Sequence, residues 1–169
     1  MTIARLSTLA IVVAAAAAIA TTVVAGGPAL AQTKQAAQTK PSKPAAGTQH
    51  KVAIQVNQND KAVMDLALNN AKNIADYFKT KGETVAIELV AYGPGLHMLR
   101  SDTSPVKERI SVMSLENPNL TFAACGNTQA NQAKAENKPV TLIGEAKVTP
   151  SGVVRLMELQ KQGYAYIRP

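Results

Sequence analysis

From residue 50 onward the apolar positions repeat with a period that alternates between two and about three and a half. Residues 51–57, KVAIQVN, place Val52, Ile54 and Val56 on one face and end on polar Asn57, the pattern of a short strand. Val63, Ala67, Ala71, Ile74 and Phe78 then recur at helical spacing, with Asn59 or Asp60 as the cap and Gly82 as the stop. Residues 84–91 are nearly continuous in apolar residues apart from Glu88, as expected of a strand covered on both faces. Gly93-Pro94-Gly95 turns the chain, residues 96–100 form a short helical turn, and Ser104-Pro105 opens a helix bearing Val106, Ile110 and Met113.

Pro118-Asn119 breaks that helix, and residues 120–124 form a third strand that runs into Cys125-Gly126-Asn127-Thr128. A weakly amphipathic helix with Ala130 and Ala133 follows, then a fourth strand within residues 141–148. Thr149-Pro150 opens a last helix with Val153, Leu156 and Met157, Gly163 ends it, and residues 164–167 form a fifth strand. Strands alternating with helices imply right-handed crossovers. The expected fold class is therefore α/β, a three-layer α/β/α domain with a five-stranded, mostly parallel sheet.

The residues before this domain read differently. A short start with Arg5, an unbroken apolar run over residues 9–20, and Ala29-Leu30-Ala31 have the layout of a secretory signal peptide cleaved after Ala31. The run of twelve is shorter than the roughly 20 residues of a spanning helix. Residues 1–31 are thus expected as a signal peptide, with a periplasmic or secreted destination and no stable membrane insertion after cleavage. Residues 32–49 contain no large aliphatic side chain and carry Lys34, Lys40 and Lys43, which predicts a flexible basic linker. Residues 50–169 form the domain.

Composition refines this division. The chain has 169 residues and a formal charge of +7, which would ordinarily suggest an anionic partner. From residue 50 on, however, fourteen basic side chains face all eleven acidic ones. With no basic patch interleaved with aromatics, nucleic acid is not an expected partner. A single Cys rules out an internal disulfide, and with two His there is no ligand set of zinc spacing. No metal or organic cofactor is expected.

In parallel sheets ligands bind beyond the carboxyl ends of the strands. Asn57, Gly93 and Gly95, Gly126, Asn127 and Thr128, and Thr149 and Ser151 all fall there as candidate binding residues. Cys125 is the candidate catalytic residue, because a thiol at a helix N-terminus faces free N–H groups that stabilise its thiolate. The alternative for Cys125 is a buried, inert side chain. Arg100 and Arg155 are weighed as anion ligands against a role in ion pairs, and His97 as a base against a plain polar residue.

The segments IQVNQND, LALNNAKNI, IELVAYGPGLHMLR, FAACGNT and VTPSGVVRLMELQKQGYAYIRP resemble the DsrE/DsrF-like family of sulfur-relay proteins over nearly the whole domain. That resemblance implies a five-stranded parallel sheet between helices and assembly as homo-oligomers, trimers or hexamers. It also implies a persulfide carried on a cysteine after the third strand, the position of Cys125. Two functions stay open. One is a sulfurtransferase or sulfur carrier that exchanges sulfane sulfur with a donor or acceptor protein. The other is a non-catalytic oligomeric binding module for a small anion or a partner protein.

Overall fold

The structure is a computed structural model that describes residues 49–169. The expected signal peptide and nearly all of the expected linker lie outside the described residues, and Gln49 opens the first strand. The strands are β1 (Gln49–Val56), β2 (Thr84–Ala91), β3 (Leu120–Cys125), β4 (Ala146–Thr149) and β5 (Ala165–Ile167). The helices are α1 (Lys61–Thr80), α2 (Lys107–Glu116), α3 (Gly126–Glu136) and α4 (Gly152–Lys161), with a 3₁₀ segment at Gly93–Leu99. All four strand pairings are parallel, in the order β4-β3-β2-β1-β5. The three-layer α/β/α expectation holds.

Each connection from β1 to β4 advances to the neighbouring strand, whereas β4 returns across the sheet to reach β5 on the far side of β1. The return places α4 on the opposite face from α1 and α2. On the α1 side, Val52, Ile54, Val56, Ile87, Leu89 and Phe122 pack against Met64, Leu68 and Ile110. On the other side, Leu156 and Leu159 of α4 pack against Ala53, Val90 and Ala123. The two alanines let the helix approach closely, as dense packing requires. Glu88, the one charge in β2, lies on this side and is buried. Its carboxylate accepts from Arg155 Nε and Nη2 at 2.6 and 2.7 Å.

Two helix starts differ from expectation. Asp60 caps α1, accepting from the Ala62 N–H at 2.7 Å. Ser104, however, does not cap α2, which begins at Lys107 behind Val106. Its buried hydroxyl donates to the Met98 carbonyl at 2.6 Å and accepts from the Val106 N–H, closing a turn before the helix. Thr149-Pro150 likewise does not open α4. Thr149 still pairs with Cys125 as the last residue of β4, so α4 begins only at Gly152, after Ser151.

The helix α3 has no buried residue at all, so polar contacts hold it. Gln129 Nε2 donates to the Val140 carbonyl and Gln132 Nε2 to the Gly93 carbonyl. The main tie is Arg100, only 1% exposed. Its guanidinium donates to both oxygens of Asp102 at 2.9 and 2.8 Å, to Gln132, and to both oxygens of Glu136.

Candidate functional site

Cys125 is both the last residue of β3 and the N-cap of α3. Its side chain is buried, 5% exposed, and it is the free thiol of the described chain. Burial by itself pushes the thiol up. The Thr128 hydroxyl and the backbone N–H groups of Gly152, Thr128 and Asn127 face the sulfur and outweigh burial, so the thiol sits below its ordinary value. The donors come from two helix N-termini, α3 and α4, rather than from α3 alone.

Thr128 is oriented from behind. Its oxygen accepts the Gly93 N–H at 2.9 Å, which leaves its own proton free to point at the sulfur. Gly93 holds φ +53°, a conformation that glycine enters at little cost. The Asn127 N–H also reaches the Pro150 carbonyl at 3.2 Å, tying the start of α3 to the turn before α4. Gly126 makes that approach possible, since a β-carbon there would lie 3.2 Å from Val148 Cγ1 and 3.3 Å from the Thr149 carbonyl oxygen.

The structure therefore brings together Cys125, Gly126, Asn127, Thr128 and Thr149, with Gly93 behind them. Gly95 serves the fold rather than the site. A β-carbon there would lie 2.3 Å from the Val56 carbonyl oxygen, so only glycine lets the 3₁₀ segment pack on the end of β1. Ser151 is the N-cap of α4 without a side-chain cap bond. Arg100 and Arg155 are not anion ligands: the first is buried between Asp102 and Glu136, the second is held by Glu88. His97 contacts Thr103 Oγ1 at 3.0 Å and lines a groove of about 470 Å³ with Asn59, Pro94, Thr128 and Asn131. Thr128 and Gly93 are the residues this groove shares with the thiol's surroundings.

Sequence reasoning missed Tyr92. It follows β2 directly, and the ladder continued by one residue sets it beside Cys125 on one side and Asn57 on the other. Its ring lies over Gly152, where a β-carbon would be 2.8 Å from Tyr92 Cβ and 3.3 Å from Cys125 Cβ. Burial and the neighbouring Tyr166 raise its phenol, while Arg168 and the Asn57 side chain pull it back. Asn57 thus joins the site through Tyr92. Only cross-strand register reveals this, and register is not written in any local motif. Among the described residues, no group of three or more His, Cys, Asp and Glu is placed to hold a metal ion, and no helix is long and apolar enough to cross a membrane.

A parallel α/β domain with a lone thiol where the third strand enters its helix defines the class. The DsrE/DsrF-like family model matches residues 50–169, and the chain belongs to that family. It is similar to a solved protein of unknown function from Methanobacterium thermoautotrophicum, at 29% identity and a TM-score of 0.60, over 71% of this chain and 99% of that one. No curated protein matches.

Proposed function

We propose that this chain is an exported sulfur-handling protein in which the Cys125 thiolate accepts a sulfane sulfur and passes it to an acceptor thiol. The observation that carries this reading is the convergence on one sulfur of the Thr128 hydroxyl and three backbone N–H groups, which hold the thiol below its ordinary value. Lowering the thiol enlarges its share of thiolate, and the thiolate is the nucleophile. It attacks the outer sulfur of a persulfide or polysulfide donor, the donor's S–S bond breaks, and the donor leaves as a thiolate. An acceptor thiolate then attacks the terminal sulfur of the Cys125 persulfide and releases the Cys125 thiolate, so neither step requires a cofactor. Burial suits this chemistry, because a sheltered persulfide resists further oxidation. The layout of residues 1–31 supports export, and membership of the DsrE/DsrF-like family supports sulfur relay and assembly of several copies. The exposed Val153, Val154 and Met157 on α4 offer an apolar surface for such assembly.

Polysulfide or thiosulfate treatment followed by intact-mass measurement tests the reading. A gain of one sulfur on the wild type and none on Cys125→Ser is expected. No gain on the wild type, or an equal gain on the variant, overturns it in favour of a non-catalytic binding module, for which Cys125→Ser keeps ligand binding.

A further inference from the structure

The sheet face that carries Cys125 can be read in rows. Two residues back from the Thr149, Cys125, Tyr92 and Asn57 row, the same face carries Lys147 on β4 at one end and Arg168, just past β5, at the other. Both are exposed, and neither enters an ion pair among the described residues. The acids near them are committed or more distant. Glu88 is bidentate to Arg155, Glu158 lies 3.6 Å from the same guanidinium, and Glu145 is a further row away from the thiol. Free charge at the thiol's end of the face is therefore positive.

We infer that Lys147 and Arg168 form a cationic margin on both sides of Cys125 that selects small anionic sulfur donors over neutral ones. The inference rests on the reading of Cys125 as a reactive thiol and names the class of its substrate. Lys147 stands one strand spacing and two residues from Cys125, a Cα separation of about 8 Å, and Arg168 three spacings and two residues away, about 16 Å. Arg168 favours the ionised form of the Tyr92 phenol, and Tyr92 is the β2 neighbour of Cys125. Lys147 stands within the Debye length of about 10 Å at 0.1 M salt and Arg168 beyond it, so the pair raises the local concentration of an anion at the sulfur most strongly at low salt. Inorganic polysulfide and a carboxylate-bearing organic persulfide share this chemistry.

The test compares the reaction rates of Cys125 with dianionic dithionitrobenzoate and neutral dithiodipyridine, in the wild type and in Lys147→Gln/Arg168→Gln. The double variant should lower the anionic-to-neutral rate ratio roughly fivefold at low salt, an effect that shrinks as salt screens the charges. An unchanged neutral rate shows the thiol and fold intact. An unchanged ratio overturns the inference, even where Cys125 still gains sulfur from polysulfide. A lowered ratio without any sulfur gain upholds the cationic margin and removes the sulfur reading. Reaction with neither reagent overturns both. Loading with inorganic polysulfide and with glutathione persulfide, both expected to slow in the double variant, identifies the source by which loads the wild type faster.

Discussion

Tyr92 and Cys125 come together over Gly152, and both of their β-carbons lie within 3.3 Å of the point where a Gly152 side chain would begin. Three separate segments, the ends of β2 and β3 and the start of α4, therefore meet at one residue that has no side chain. Gly152→Ala should push Tyr92 off the sheet or lift α4, at a cost of about 1–3 kcal/mol. It also moves one of the N–H groups that face the sulfur. Chemical denaturation combined with thiol titration checks both effects. Full stability with an unmoved titration would show that Tyr92 yields freely.

Thr128→Val keeps the shape of the side chain and removes the hydroxyl. Burial then acts on the thiol with less opposition, so the thiolate absorbance should titrate at higher pH than in the wild type. The Gly93 N–H loses its acceptor as well, which should cost about 1–2 kcal/mol. Thr128→Ser restores both the hydroxyl and the lower titration. A valine variant that titrates like the wild type would assign the thiol's acidity to the backbone N–H groups alone.

Gly95→Ala places a β-carbon 2.3 Å from the Val56 carbonyl oxygen and 2.8 Å from Asn57 Cα. Both obstacles are backbone, which cannot swing aside as a side chain does. The expected loss is about 3 kcal/mol or more in unfolding free energy. A loss below about 1 kcal/mol would mean that the 3₁₀ segment slides freely along the end of β1.

Arg100 ties α3 to the rest of the domain, and α3 has no buried residue of its own to compensate. Arg100→Met leaves Asp102 and Glu136 with only the more exposed Lys138 as a partner and should cost about 3 kcal/mol. Amide hydrogen exchange should show the loss of protection concentrated in α3. Uniform loss across the sheet would contradict this.

The same cluster sets an acid response. Hydrogen bonds from Arg100 hold Glu136 down to about 2, from an ordinary 4.5, and hold Asp102 well below the usual carboxylate range. Both carboxylates are depressed, so their contribution is complete above pH 4.5 and is lost as pH falls from there toward 2. Protection of α3 should decline over that interval, and Glu136→Gln should weaken the decline. A decline centred near neutral pH would exclude these carboxylates as its source.

Much of this was legible in the chain itself. The alternation of Val52, Ile54 and Val56, the spacing of Ala67, Ala71 and Ile74, and the glycine at 82 mark elements whose signals are local, and the observed elements follow them. Helix starts were less legible where a hydroxyl had a tertiary partner. Ser104 turns inward to the Met98 carbonyl, and Thr149 stays paired with Cys125, so neither does what its flanking proline suggests.

The sequence by itself determined the strand and helix order, the α/β class and the place of Cys125 at a strand-to-helix junction, because periodicity and punctuation act over a few residues. Tertiary structure alone decided which groups surround that thiol. Tyr92 and Gly152 reach it through parallel register and the return of α4 across the sheet, and the same register sets Lys147 and Arg168 on its face. Those relationships join residues far apart in the chain, through pairings that no local pattern encodes.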